Sequence, residues 1–310
     1  AEEIQWIVDQ LFVSHRLAEV LEIANRVTVL RDGKLVGVFP SEGMTQSRLA
    51  ELMTGKIFAK AVSAQDRSAN PPVLEVEHLT REGEFHDVSF RIHKGEVLGL
   101  TGLIGAGRTE IAHTLFGMTR ADAGAVKLNG KALALRSNRD AVKAGIAYVS
   151  EDRLALGLIQ PQSIADNLVM SILPELSGPN GLISAVRKAE TVSGSIAELG
   201  VKIGGPDDPI STLSGGNQQK VVLAKWLATK PKLLILDCPT VGVDVGARAG
   251  IYKIIRNLAD QGLSILLISD EVSEVHYNAD RILHMAGGRI VQEIDPNATS
   301  LEKLEEAVYA

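Results

Sequence analysis

EVLGLTGLIGAGRTEIAHTLFG, residues 96–117, passes from an uninterrupted apolar segment through a glycine-rich turn into a helical pattern, and few folds accommodate that succession. Strand, glycine loop and helix in this order make a phosphate cradle. Glycines let successive backbone N–H groups turn inward, and the helix N-terminus adds roughly half a positive charge. The loop GLIGAGRT follows G-x-x-x-x-G-K-[ST] except that Arg108 stands where the lysine belongs. Gly102, Gly105, Ala106, Gly107 and Arg108, with Glu110 in the first helical turn, are the candidate phosphate-binding set. Thr109 offers its hydroxyl to a magnesium ion. A glycine-rich strand-to-helix turn can also serve close packing alone, so the loop needs support from elsewhere in the chain.

Three further apolar runs, IAYVS, KLLILD and LSILLIS, read like the first as strands buried on both faces, the mark of a parallel sheet flanked by helices. Between Val73 and Gly102 apolar and polar residues alternate, with turn signals at Glu82-Gly83 and Lys94-Gly95, which predicts an antiparallel sheet. From about Leu154 to Ala228 the periodicity is helical, interrupted by PELSGPNG. The expectation is an α/β nucleotide-binding core of the phosphate-loop class, carrying an antiparallel β subdomain and a helical subdomain.

The chain also repeats itself. LFVSHRLAEVLEIANRVTVLRDGKLVGVF from Leu11 matches LLISDEVSEVHYNADRILHMAGGRIVQEI from Leu266, 255 residues further on. Ser14 aligns with Ser269, Glu19 with Glu274, Arg26 with Arg281 and Gly33 with Gly288. That offset is about one domain. The prediction is a C-terminal remnant of a first domain over residues 1–58, a linker over 59–72, and a complete second domain over 73–310. The linker reading rests on AKAVSAQDRSANPP, which has almost no large apolar residue and ends in a double proline. Before Leu11 the first copy lacks a counterpart of GLSI, and about four residues are expected to be absent there, by analogy with the turn at Gly262.

Two more stretches support the loop. KLLILD ends in Asp237, the usual position for a carboxylate that holds magnesium through water. LSGGNQQK opens a helix whose Val221, Ala224, Leu227 and Ala228 share one face, and Ser214 with its paired glycines makes a second anion-binding terminus. Composition then removes competitors. With 38 acidic against 32 basic residues and a net charge of −6, there is no basic footprint for nucleic acid. The single cysteine, Cys238, forms no internal disulfide and suits a reducing compartment. No window approaches the roughly 18 apolar residues of a membrane span, so a membrane role is expected to come through a partner chain. Histidines 78, 86, 93, 113, 276 and 284 show no metal-ligand spacing.

LSGGNQQK resembles the signature sequence of ATP-binding-cassette ATPases, in which each ATP lies between one domain's phosphate loop and the other's signature. The order phosphate loop, YVSEDR, LSGGNQQK, LLILD, GVDVG, LLISDE resembles that family across Val73 to Ala310, and SHRLAEV…RDGKLVG resembles the tail of a preceding cassette. GAGRTE, EDR…GL and LSGGNQQK look most like the second cassette of bacterial ATPases for ribose, galactose, arabinose or xylose uptake. The resemblance implies ATP and Mg²⁺ as cofactors, and a polytopic sugar permease and a periplasmic sugar-binding protein as partners. It also implies a first nucleotide-binding domain in the same chain, and a peripheral place on the cytoplasmic face of the inner membrane. It assigns nucleotide contacts to Ser214, Gly215, Gly216, Gln218 and Asp244, and a magnesium-sensing position to Glu151, whose alternative is a place in a solvated Glu-Asp-Arg turn. Phe85 stands where the family often places an aromatic against adenine, or it packs between hairpin and loop.

Three family positions are changed. Arg108 brings a planar guanidinium where a compact ammonium fits, which weakens nucleotide affinity. Cys238 replaces the glutamate that orients the attacking water, a group contributing about 10²–10⁴-fold; a thiol of pKa about 8.5 is a poor substitute near neutral pH, and as a small buried hydrophobe it does no chemistry. Asp270 replaces the histidine that touches the γ-phosphate, where its charge is expected to repel that group, while His15 keeps the histidine in the first copy. The reading is a sugar-importer ATPase subunit whose own site is degenerate and whose signature serves a partner site. Its competitors are a regulatory or dimerisation module without a transport partner, and a DNA-repair cassette, which would bring a coiled coil or zinc-bearing insertion.

Overall fold

The computed structural model describes residues 11–12, 17–31, 33–54 and 67–309. His15 and Gln10 lie outside them, so the retained histidine and the junction before Leu11 have no structural account. The chain divides into two compact units, Ala1–Ala59 with Asp244–Gly250, and Lys60–Val243 with Ile251–Ala310.

In the first unit α1 (Leu17–Ile23), the antiparallel pair β1 (Arg26–Arg31) and β2 (Lys34–Pro40), and α2 (Gln46–Thr54) close around Val27, Val29 and Leu49.

The second unit opens with β3 (Pro72–Arg81) and β4 (Phe85–His93), then β5 (Val97–Thr101), α3 (Arg108–Leu115), β6 (Ala123–Leu128), β7 (Lys131–Ala132), α4 (Asn138–Ala144) and β8 (Ile146–Val149). Helices α5 (Ile164–Val169), α6 (Leu173–Leu176), α7 (Ala185–Leu199) and α8 (Gly215–Leu227) follow. The chain then returns through β9 (Leu233–Asp237), α9 (Val245–Asp260), β10 (Ser264–Ile268), α10 (Val272–Asn278), β11 (Arg281–Ala286), β12 (Arg289–Ile294) and α11 (Leu301–Tyr309). A six-stranded sheet runs β12-β11-β5-β10-β9-β8, parallel except for its edge strand β12, beside a four-stranded antiparallel sheet β4-β3-β6-β7. The four apolar runs are the adjacent strands β5, β10, β9 and β8, the last at the sheet's other edge, and all four are buried at every position.

The repeat continues further than the matched letters. Helix α10, strands β11 and β12, and helix α11 each begin 255 residues after α1, β1, β2 and α2. Both hairpins shift register at the equivalent step, Val29/Leu30 and His284/Met285, and Gly33 and Gly288 share a φ of +74°. A left-handed turn residue and a bulge fix hairpin register, so these two features carry the geometry that diverging side chains do not.

Part of the expected linker is anchored. Arg67 is buried and donates to the carbonyls of Gly95 at 2.6 Å and Ala259 at 3.0 Å, and β3 already begins at Pro72. From Arg67 onward low apolar content is a poor guide, because a buried arginine held by carbonyls docks the chain.

Helix α8 also departs from the one-faced pattern. Val221 to Lys225 are all buried, because the helix packs against β8, α5 and α7 together. Lys225 inside it donates its Nζ to the carbonyl of Gly157 at 2.5 Å, and burial pushes its pKa down to about 8. The unfolded chain therefore holds this proton through a window where the folded chain has lost it, so stability rises with pH between about 8 and 10.5. Measured by denaturant titration, the unfolding free energy of the wild type minus that of Lys225→Met should grow by about 2 kcal/mol from pH 7.5 to 9.5. A constant difference would place the lysine's proton outside this linkage.

Candidate functional site: a phosphate loop with a paired arginine

The glycine loop leaves the C-terminal end of β5 at the centre of the sheet. Its shape requires two of its glycines. A Cβ on Gly102 would lie 2.1 Å from the carbonyl oxygen of Met285, and one on Gly107, at φ +101°, would meet the Glu84 carbonyl at 2.8 Å. The hairpin turn between β11 and β12 ties the loop down: Gly288 N–H donates to the carbonyl of Ala106 at 3.1 Å, and the Gly288 carbonyl accepts from His86 N–H at 2.8 Å. Above this base the loop faces outward. Gly105 at φ +80° has open space where a Cβ would point, and Ile104 is 90% exposed. Gly107 caps α3 without a side-chain hydrogen bond, so the first helical N–H groups keep no intrahelical partner.

Thr109 in the first turn of α3 donates its hydroxyl to Asp237 Oδ1 at 3.3 Å, and Tyr148 donates to Asp237 Oδ2 at 3.0 Å. Asp237 is fully buried at the end of β9, and burial pushes its pKa up to about 6 against the pull of those two donors; the Glu151 charge adds to the rise. A buried carboxylate beside a hydroxyl at the mouth of a phosphate loop fits magnesium, which is held by one or two carboxylates together with substrate phosphates. Thr109 and Asp237 would be its protein ligands, and the ion would neutralise phosphate charge. Glu151 is exposed just after β8.

The remaining positions sort differently. Arg108 is buried and turned onto the segment after β10: its guanidinium donates to the Ser269 carbonyl at 2.8 Å, to the Leu103 carbonyl at 3.4 Å and to the Asp270 carboxylate. Two of the three replaced residues are therefore partners, and the negative charge of Asp270 is not free as the sequence suggested. Cys238 is 5% exposed, and burial, with the Asp270 and Asp237 charges, pushes its thiol far up, so it stays neutral. Phe85 is 2% exposed, in the core beneath Gly107 and Gly288, where packing rather than adenine has its ring. Gln218 corrects another expectation: it is buried with its Nε2 donating to the Ile210 carbonyl at 3.3 Å, one turn inside α8 and away from the exposed Ser214. Asp244 caps its own helix by accepting from Ala247 N–H at 2.9 Å and falls in the first unit.

Ser214 is the N-cap of α8 and leaves the first N–H groups without a side-chain cap. Gly215 is required by closeness, since a Cβ there would sit 2.7 Å from the Gly242 carbonyl and 2.9 Å from the Arg153 guanidinium. Arg153 itself donates to the carbonyls of Val241 and Gly242, joining the segment after Glu151 to the turn that follows Thr240. Tyr148 and Arg153 were missed as site residues: the first is one aromatic within an apolar run, and the second reads as a surface charge until its carbonyl partners are seen. A groove of about 1050 Å³ lies at the opposite ends of the same strands, lined by Lys94, Lys230 and Leu263 among others, and is separate from the loop.

A parallel sheet with a glycine loop at its centre, a hydroxyl and carboxylate at its mouth and a serine-capped second helix define a phosphate-loop nucleotide-binding domain. Residues 85–241, about half of the chain, match the ABC transporter family, and the chain belongs to it. It is 44% identical over 297 residues to the ribose import ATP-binding protein RbsA 2 of Rubrobacter xylanophilus, covering 96% of this chain and 57% of that protein. It is 41% identical over 286 residues to a putative ribose/galactose/methyl galactoside import ATP-binding protein of Rhizobium etli, covering 92% and 54%. The chain thus spans little more than half the length of these relatives. Among solved structures, the ADP conformation of an ATP-binding cassette of an ABC transporter superposes with a TM-score of 0.65 at 21% identity, covering 77% of this chain and 96% of that one. That likeness is one of fold. Among the described residues no helix is long and apolar enough to cross a membrane.

Proposed function

We propose that this chain is part of the ATP-binding subunit of a bacterial sugar importer, with a degenerate phosphate-loop site of its own and a signature that completes a partner site. The observation that carries the reading is the neutral, buried Cys238 beside Asp237, at the place where hydrolysis needs a base. A thiol that stays protonated at neutral pH accepts no proton from water, so the site binds nucleotide and turns it over poorly. Thr109 and Asp237 would hold Mg²⁺, with Glu151 near it. Ser214, Gly215 and Gly216, at the uncapped start of α8, would meet the γ-phosphate of ATP bound to a first nucleotide-binding domain of the same chain, which would use His15. Leu154, Leu156 and Ile159, exposed just after Glu151, suit a cytoplasmic helix of a polytopic permease, which would receive sugar from a periplasmic binding protein. The chain would lie peripherally on the cytoplasmic face of the inner membrane.

The test is magnesium-dependent ATP turnover by this chain alone and joined to a complete first cassette. The chain alone should run about 10²-fold or more below the joined protein, and Cys238→Ala should change neither rate. Robust turnover by the chain alone, surviving Cys238→Ala, would overturn the reading.

A further inference from the structure

Arg108 and Asp270 lie 162 residues apart in sequence yet satisfy one another at the mouth of the loop. The arginine side chain is 7% exposed and the aspartate 45%, so the cation is inside and the anion outside. Anything approaching the loop with negative charge meets the carboxylate first. The pair is also firmly seated. The second guanidinium nitrogen holds the Ser269 carbonyl at 2.8 Å, Ser269 Oγ donates to the buried Glu274 at 2.6 Å, and Glu271 N–H donates to Ser269 Oγ at 3.1 Å. Asp270 thus sits on a braced segment.

The two parts of a polyphosphate depend on different groups here. Inner phosphates would be cradled by backbone N–H groups of the loop and of the first turn of α3, and the ion pair leaves Gly105 open. The terminal phosphate depends on the cation of the loop's basic residue, and in this chain that cation is already engaged. We propose that the Arg108–Asp270 ion pair fills the terminal-phosphate subsite, so that this site selects nucleoside diphosphate over triphosphate, with Asp270 as the specificity-determining residue. The proposal rests on the reading that the loop binds nucleotide. A triphosphate must either displace the carboxylate from Arg108 and lie beside it, or leave its last phosphate outside the loop. Both oppose like charges at short range in a partly dry site, where screening is weak. A diphosphate does neither.

The experiment is calorimetric titration of the 310-residue chain, in magnesium, with ADP and with a non-hydrolysable ATP analogue, for the wild type, Asp270→Asn and Asp270→Glu. The wild type should bind ADP about tenfold or more tightly than the analogue. Asp270→Asn should bring the two affinities together, chiefly by strengthening the analogue, and Asp270→Glu should keep the preference. An Asp270 role confined to stability would move melting temperature and leave the affinity ratio alone. Equal affinities in the wild type, or a ratio unmoved by Asp270→Asn, would overturn the selectivity while leaving the loop a nucleotide site. Absence of binding by all three proteins to either nucleotide would overturn the underlying reading, and the proposal with it.

Discussion

Cys238→Glu alone should leave magnesium-dependent ATP turnover at background, whereas Arg108→Lys, Cys238→Glu and Asp270→His together should raise it by about 10²–10⁴-fold, the contribution of a positioned general base. The measurement belongs in a chain joined to a first cassette whose own phosphate loop has been disabled, because this site needs a second domain's signature and the partner site would otherwise dominate the turnover. The reason for the asymmetry lies in the packing. Position 238 is 5% exposed with a φ of +45°, and its neighbours Asp237 and Asp270 already press its thiol toward the neutral form. A glutamate placed there would be a third carboxylate in one small volume, and it would protonate rather than act as a base. Exchanging Asp270 removes one of those charges but leaves Arg108 a buried cation without its half-exposed carboxylate, which is unfavourable for the folded chain. Lysine at 108 relieves that, since its ammonium follows a flexible stem toward phosphate and does not require the fixed Ser269 and Asp270 acceptors. Each replacement is unfavourable without the others. A Cys238→Glu single variant as active as the triple variant would show that the three positions are independent.

The sequence carried the parts of this protein that depend on local pattern and lost those that depend on long-range pairing. Four continuous apolar runs became four buried parallel strands, because a strand covered on both faces has no polar position to show. The 255-residue repeat by itself locates the β11–β12 hairpin, and Gly33 and Gly288 make the match legible because each holds a left-handed turn. The site was legible as a set of positions. Its wiring was not. Arg108 and Asp270 each read as a defect, and only the fold shows that the two defects neutralise each other beyond the ends of the neighbouring strands β5 and β10. Phe85 and Gln218 were assigned by position in a motif, while burial decides what their side chains reach. Helix α8 read as one-faced because spacing reports which residues are apolar, and not how many neighbours surround the helix.

Gly102→Ala should abolish the ordered loop and lower stability by about 3 kcal/mol or more, read from the midpoint of chemical denaturation. A methyl group there would lie 2.1 Å from the Met285 carbonyl oxygen and 3.3 Å from the Ala106 Cβ. The carbonyl belongs to β11, which pairs with β5 along Arg281–His284, so it cannot retreat without opening the centre of the sheet. Gly105→Ala tests the other half of the same loop. It meets nothing within 4 Å, and its φ of +80° costs an alanine only about 1 kcal/mol. Its methyl would nevertheless occupy open space on the loop's outer side, so nucleotide binding should fall by at least about tenfold while stability falls by no more than about that 1 kcal/mol. The two alanines, three residues apart, separate what holds the loop from what the loop holds. Equal loss of stability from both would mean that Gly105 is packed against the protein, and Gly102→Ala at wild-type stability would mean that the loop base is free to move away from Met285.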